Sequence, residues 1–132
     1  MPQFEMPQGK GAQWASLDEF ARGYVEAMWF TNSGESDDAL TGLDVDALAP
    51  ETLERIASDC AAFMAKFPNG FGHADDAQAG RDFWFNRCGH GVGFWDRPAL
   101  YGVNLARLLD EAAREAGNLD PYVGDDGRVY LM

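Results

Sequence analysis

Three stretches of the chain carry apolar residues at the spacing of an amphipathic helix. The first is predicted over residues 16–30, where Ser16 and Glu19 form an S-x-x-E capping box at the start. Its apolar positions lie three and four residues apart and share one helix face: Leu17, Phe20, Ala21, Tyr24, Ala27 and Met28. The second helix is predicted over residues 50–67, with Pro50 in its first turn. The third is predicted over residues 105–116 and ends before Gly117, which readily adopts the left-handed conformation found after a helix.

Two further stretches show the alternation typical of strands. Residues 82–87 and 92–95 flank a Gly-containing tip at 88–91, which predicts a β-hairpin. Residues 122–131 predict a second hairpin with Asp126-Gly127 as a type I′ turn. The expected fold class is therefore α+β, with one antiparallel sheet of two β-hairpins packed with about three helices. Residues 1–15 are predicted to be a mobile N-terminal lead-in, and residues 16–132 a single α+β domain.

Composition narrows the classes of function. The 132 residues include 22 acidic and 10 basic side chains, which gives a formal net charge of -12. Direct binding to duplex DNA or to an anionic membrane is not expected, because such binding rests on Lys and Arg. At 46% hydrophobic residues the chain is too apolar for an acidic disordered tail. It shows neither a long apolar run nor a signal-peptide pattern, so we expect a cytoplasmic protein.

The negative charge is concentrated in one part of the sequence. Between Thr31 and Glu54 there are seven acidic residues and no Lys or Arg. A protein with such a surface is attracted to a partner with a complementary basic surface. The candidate partner-binding residues are Glu35, Asp37, Asp38, Asp44, Asp46, Glu51 and Glu54. The alternative is a solvated acidic loop that serves solubility alone.

The cysteine and histidine residues raise two possible activities, metal binding and thiol catalysis. The soft and imidazole ligands of the chain are Cys60, His73, Cys88 and His90, of which only Cys88 and His90 lie close together in sequence. Structural zinc sites pair their ligands twice at short spacing, so no metal and no cofactor is expected. Cys88 with His90 as a base lacks a third orienting group, and both cysteines are expected as thiols.

The aromatic segment offers two other candidates. A small ligand-binding or hydrolytic domain would use Arg87, His90 and Trp95 at the predicted hairpin. A nucleic-acid binder would instead stack bases on aromatic side chains flanked by Arg81, Arg87 and Arg97. Alternation favours the core for Phe83, Phe85 and Phe94, which leaves Trp84 or Trp95 at the surface.

Residues 82–96, with the sequence DFWFNRCGHGVGFWD, resemble a segment of small proteins encoded by tailed phages and prophages. In that group the pattern D-F-W-x-x-R-x-G-H-G-x-G-F-W-D recurs, and the resemblance extends over about residues 20–131. It implies a phage origin and action in the bacterial host cytoplasm, and it brings no reaction or ligand with it. Similar sequences carry Asn where this chain has Cys88, which counts against a thiol nucleophile or a zinc ligand there.

The charge and the resemblance together predict a function. We expect a non-enzymatic, phage-encoded acidic protein that binds and inhibits a host defence or nucleic-acid-processing complex. Such a protein would be anti-CRISPR-like by analogy, and its carboxylates would imitate DNA. The alternatives are the ligand-binding or hydrolytic domain and a phage regulatory protein that contacts nucleic acid. A free hairpin edge leaves a homodimer open.

Overall fold

The computed structural model describes residue 15 and residues 17–33, 39–89 and 93–132. Its helices are α1 (Glu19–Asn32), α2 (Pro50–Ala65), α3 (Asp76–Arg87), α4 (Pro98–Tyr101) and α5 (Val103–Ala116). Two 3₁₀ turns span Val45–Ala47 and Phe94–Asp96, and two strands, β1 (Pro121–Val123) and β2 (Val129–Leu131), form one antiparallel sheet. The α+β class is confirmed, with mostly helical structure and one small sheet. The predicted lead-in lies outside the described residues apart from residue 15.

The hairpin predicted over residues 82–95 is wrong, because residues 82–87 form the second half of α3. The side chain of Asp75 accepts a hydrogen bond from the Gln78 backbone N at 2.8 Å, which caps the helix at its start. Phe83, Trp84 and Phe85 are all buried. A helix covered by neighbours on several sides shows no single apolar stripe, so its period is hidden. The described part of the chain therefore contains a two-stranded sheet in place of two hairpins.

Helices α1 and α3 cross with their backbones almost in contact. A Cβ added at Gly80 would lie 1.9 Å from the carbonyl oxygen of Phe20, and one added at Gly23 would lie 2.0 Å from that of Ala77. Each helix thus uses a glycine where the other helix passes closest. An aromatic cluster continues the core toward α2, with the rings of Phe63 and Phe83 stacked at a centroid distance of 4.1 Å.

The small sheet rests on the start of α2. The carbonyl oxygen of Val129 accepts hydrogen bonds from the backbone N of Ala49 at 3.1 Å and from the Thr52 hydroxyl at 2.9 Å. A parallel bridge also joins Val129 to Leu48. One edge of β2 is therefore covered by residues 48–49, and the other edge pairs with β1. This arrangement brings the hairpin tip and the first turn of α2 to the same side of the molecule.

Two predicted details of local geometry need correction. A type I′ turn requires positive φ at both central residues, and no described non-glycine residue has positive φ. The turn is instead a three-residue loop, residues 125–127, in which Gly127 has φ 77°. Helix α1 begins at Glu19, where the Asp18 side chain accepts a hydrogen bond from Ala21 N at 2.8 Å. The predicted cap Ser16 lies outside the described residues.

The other helix ends agree with the sequence pattern. Pro50 occupies the first turn of α2, and Gly117 follows α5 with φ 84°. Ahead of α2 the chain forms the 3₁₀ turn Val45–Ala47. Among the described residues, no helix combines the length and the apolar character needed to cross a bilayer.

Candidate functional site

Four of the seven predicted partner-binding residues lie just ahead of α2 or on its first turns. Asp44 and Asp46 flank the start of the 3₁₀ turn, and a carboxylate oxygen of Asp44 accepts a hydrogen bond from Asp46 N at 3.0 Å. Glu51 and Glu54 are exposed on the first turns of α2. Glu35, Asp37 and Asp38 lie outside the described residues. The four described carboxylates therefore lie on one short segment of chain, ahead of and along the helix start.

The hairpin contributes two acidic residues that the sequence pattern assigned only to a turn. Asp125 and Asp126 are exposed at its tip, and Asp126 accepts a hydrogen bond from the Tyr130 hydroxyl at 2.6 Å. That hydrogen bond, with the negative charges of Asp126 and Glu51, raises the pKa of Tyr130 to about 12. Because Tyr130 interacts with both Asp126 and Glu51, the hairpin tip and the start of α2 form one surface.

We call this surface the acidic face, and it consists of Asp44, Asp46, Glu51, Glu54, Asp125 and Asp126. Arg128, in the same hairpin, donates its backbone N to Asp126 at 3.0 Å. Arg55, the next cation along α2, lies 3.7 Å from Asp59, which is outside the acidic face. Arg55 also lines a depression of about 230 Å³ together with Glu51 and Tyr130, so two basic side chains, Arg128 and Arg55, lie at the acidic face against six acidic side chains.

Arg87, a candidate ligand-binding residue, is buried with its side chain only 1% exposed. Its guanidinium donates hydrogen bonds to the carbonyl oxygens of Ala116 at 2.7 Å and Gly117 at 2.8 Å, at the end of α5. It also donates to Asp59 at 2.9 Å and to the Tyr24 hydroxyl at 3.2 Å. These contacts satisfy carbonyl groups that a helix end leaves without partners, so Arg87 joins four elements of the fold.

The structure does not bring Arg87 and Trp95 into one depression. Arg87 lies beneath a cleft of about 340 Å³ between α2 and α5. Trp95, 46% exposed, borders a separate depression of about 400 Å³ together with Asn86 and Arg114. His90, the third residue of the predicted ligand site, lies outside the described residues. The described part of the chain therefore shows no shared site for this set.

Trp95 is instead part of a hydrogen-bonded cluster around a carboxylate. Burial acts to raise the pKa of Asp110, but hydrogen bonds from Asn86, Trp95 and Arg114 outweigh it and hold that pKa below its ordinary value. Asn86 also accepts a hydrogen bond from Phe94 N at 3.2 Å. The cluster ties the 3₁₀ turn Phe94–Asp96 to α3 and α5, which is a structural role.

The aromatic residues and arginines proposed to bind nucleic acid are mostly engaged within the protein. Phe83, Phe85 and Phe94 are buried, as predicted, and Trp84 is buried as well. Arg97 donates to the fully buried carboxylate of Asp82 at 2.9 Å. The cations that would flank stacked bases are likewise paired within the fold, since Arg81 lies 3.7 Å from Glu26 and Arg87 is buried.

The cysteines lie in environments that disfavour the reactive thiolate. Burial raises the pKa of the Cys60 thiol and that of the Cys88 thiol, so both stay protonated near neutral pH. His73 is exposed and distant in sequence from both. Over the described ranges, no group of three or more His, Cys, Asp or Glu side chains is placed to hold a metal ion.

Comparison with known proteins gives no family for this chain. No protein-family model, curated protein or solved structure matches it. The acidic face and the buried arginine contacts therefore carry the functional reasoning.

Proposed function

We propose that the protein is a non-enzymatic, phage-encoded inhibitor that uses its acidic face to bind a basic surface of a host defence or nucleic-acid-processing complex. The observation that carries this proposal is that the Tyr130 side chain interacts with Glu51 of one acidic segment and with Asp126 of the other, so that the start of α2 and the hairpin tip meet. The resemblance of residues 82–96 to tailed-phage proteins supports a host target in the bacterial cytoplasm. The likeness to anti-CRISPR proteins is an analogy.

Electrostatics supplies the physical basis for binding. A surface that holds DNA or RNA presents Lys and Arg side chains to phosphates, and spaced carboxylates are attracted to the same side chains. Complementary charge speeds association and selects the partner more than it adds affinity. A chain of net charge -12 with a concentrated acidic surface is suited to this role. Occupation of the nucleic-acid channel would then block the activity of the complex.

The ligand-binding alternative has less support from the contacts. A ligand at Arg87 would have to compete with the carbonyl groups of Ala116 and Gly117 and with Asp59, each within 2.9 Å of its guanidinium. The loss of those contacts would leave a helix end and a carboxylate without their partner. We therefore assign Arg87 a structural role and place the binding function on the acidic face.

The experiment compares two variants that lose the same charge. The test variant carries four changes on the acidic face: Asp44→Asn, Asp46→Asn, Glu51→Gln and Glu54→Gln. The control carries four changes at exposed acids on other elements: Glu19→Gln, Asp76→Asn, Asp96→Asn and Glu111→Gln. Each tagged protein captures partners from a nuclease-treated lysate of the bacterial host, and retained proteins are quantified by mass spectrometry.

We expect the wild-type protein and the control to retain one nucleic-acid-processing complex that the test variant retains much less. Exposed charge pairs contribute about 0.5 kcal/mol each, so four of them change affinity about thirtyfold at low salt. Equal retention by the test variant, or no such complex with the wild-type protein, contradicts the proposal. Amide side chains keep the hydrogen bond from Asp46 N to residue 44, so folding is expected to be unchanged.

A further inference from the structure

We infer that the open edge of β1 is the docking site for an extended, basic segment of the partner, which adds to the sheet as a third strand. This inference rests on the proposed function, because it names the part of the partner that meets the acidic face. It assigns Val123 and Tyr122 as contact residues, which the charge pattern alone does not indicate.

The backbone geometry leaves this edge available. Asp120 and Met132 exchange two hydrogen bonds of 3.1 Å, and Gly124 N donates to Arg128 at 2.9 Å. Bonded pairs alternate along an antiparallel ladder, so Tyr122 bonds to Tyr130 while Val123 directs its N–H and C=O away from β2. Among the described residues, Val123 N donates no hydrogen bond to a backbone group outside the sheet.

The opposite edge of the sheet is closed, which makes β1 the available side. The carbonyl oxygen of Val129 in β2 already accepts from Ala49 and Thr52. Proline at position 121 has no N–H, so the Val123 N–H is the donor that β1 offers to an added strand. An incoming strand would use this donor and the outward carbonyl oxygen of Val123, because the other outward position of β1, Pro121, is buried.

The side chains beside the edge favour a basic segment. The rings of Tyr122 and Tyr130 stack at a centroid distance of 5.7 Å on one face of the sheet, and Tyr122 is 41% exposed. An aromatic face attracts Arg or Lys, and the carboxylates of Asp125 and Asp126 lie at the end of the same hairpin. A strand with alternating basic residues would place its cations over Tyr122 and toward the hairpin tip.

Charge also argues against a second copy of this chain as the occupant. Edge-to-edge pairing of two β1 strands would bring together the acidic side chains at both ends of the strand, Asp120 and Asp125, from both copies. Like charges placed opposite each other across strands are destabilising. With a net charge of -12, each copy repels the other over longer distances as well.

The test uses a backbone variant that removes the outward donor. Val123→Pro deletes the Val123 N–H without breaking a bond to β2, and Val123→Ala is the matched control that keeps the N–H. The probe is the synthetic peptide acetyl-Arg-Val-Arg-Val-Arg-amide, titrated into ¹⁵N-labelled full-length protein. Amide shifts locate the binding site and give the affinity, and the unbound spectra report whether the hairpin is retained.

We expect peptide-induced shifts along β1, affinity about tenfold weaker for Val123→Pro, and less than about a threefold change for Val123→Ala. If Val123→Pro disrupts the hairpin, the test uses the variant Tyr122→Lys in its place. This change keeps the backbone N–H groups and adds a cation that repels a basic peptide. Tyr122→Phe is its control. Equal affinity for Val123→Pro, or equal affinity for Tyr122→Lys if that variant is used, overturns the inference. Peptide shifts confined to residues outside β1 also overturn it.

Peptide binding by two variants separates the edge inference from the role of the acidic face. One is Val123→Pro, and the other is the four-acid variant, which is the test variant changed at residues 44, 46, 51 and 54. If the four-acid variant binds the peptide weakly while Val123→Pro binds normally, the acidic face stands and the edge inference is wrong. If Val123→Pro weakens peptide binding while the four-acid variant binds the peptide as the wild type does, the edge inference stands and the carboxylates of residues 44–54 do not attract the basic segment. A dimer seen by sedimentation that Val123→Pro dissociates would identify a second copy as the occupant and overturn the inference.

Discussion

Replacing Arg87 with methionine tests whether this residue holds the fold together. Methionine keeps an unbranched apolar stem that can pack near the Phe83 ring, whose centroid lies 5.3 Å from the Arg87 guanidinium carbon. It removes every donor to Ala116, Gly117, Tyr24 and Asp59. The change therefore isolates the polar contacts of Arg87 from its packing.

The magnitude follows from the burial of the two partners. Removing one member of a buried ion pair costs about 3–5 kcal/mol. The side chain of Asp59 is 28% exposed, so water reaches it and the loss falls toward the lower end. We expect a decrease of about 3–4 kcal/mol in the free energy of unfolding, including the carbonyl groups left without donors at the end of α5. For 132 residues this lowers Tm by about 11–14 °C.

Urea denaturation followed by tryptophan fluorescence measures this change, and thermal unfolding by circular dichroism checks it. The control is Arg55→Met, because Arg55 lies 3.7 Å from the same Asp59 and its side chain is 47% exposed. That exposed pair contributes less than about 1 kcal/mol. If Arg87→Met and Arg55→Met destabilise the protein equally, Arg87 is not a structural residue and its assignment to a ligand site regains support.

Two further predictions concern the helix crossing and the hairpin. Gly80→Ala places a methyl group 1.9 Å from the Phe20 carbonyl oxygen, so we expect a loss of about 3 kcal/mol in the free energy of unfolding, measured by urea denaturation. Gly89→Ala is the comparison and should cost only about 1 kcal/mol, because its methyl group has open space and the cost comes from the positive φ of 68°. The folded-state pKa of Tyr130, about 12, exceeds its ordinary value of about 10. Tyr130 therefore contributes stability below pH 10 that is lost as pH rises from about 10 to 12. Asp126→Asn should lower the pKa of Tyr130 toward 10 in an NMR titration, and an unchanged pKa would refute the role of Asp126.

The parts of the fold that the sequence predicts well are those with one apolar face. Helices α2 and α5 each cover the core from one side, so their apolar residues keep a visible period and their ends carry Pro50 and Gly117. The second hairpin was also predictable, because polar and apolar residues alternate around Asp126-Gly127. The turn type was not, since it depends on the bonds that Gly124 makes across the strands.

The sequence pattern predicts a strand in the second half of α3 because that helix is buried on several sides. Its consecutive residues Phe83, Trp84 and Phe85 resemble a strand, although Asp75 three residues before Gln78 is a helix-start signal. Burial of the whole run depends on close packing at Gly80, which local pattern does not reveal. The same limit applies to Arg87, whose partners at the end of α5 lie 29 and 30 residues away in sequence.

The acidic face was predictable only in part. The run of carboxylates from Asp44 to Glu54 is visible in the sequence, whereas Asp125 and Asp126 read as turn residues. They join the acidic face because the hairpin docks on Ala49 and Thr52, a contact over more than 70 residues of chain. Tertiary contacts, and not local composition, therefore define the extent of this surface.

Binding through the acidic face is tested by the affinity of the captured host complex for the four-acid variant and for its charge-matched control, measured at about 50 mM and about 300 mM salt. At the higher concentration the Debye length is shorter than about 8 Å, so attraction between exposed charges is largely screened. We expect about thirtyfold weaker binding for the four-acid variant at low salt, a much smaller difference at high salt, and wild-type affinity for the control at low salt. Equal affinities of the two variants would contradict it.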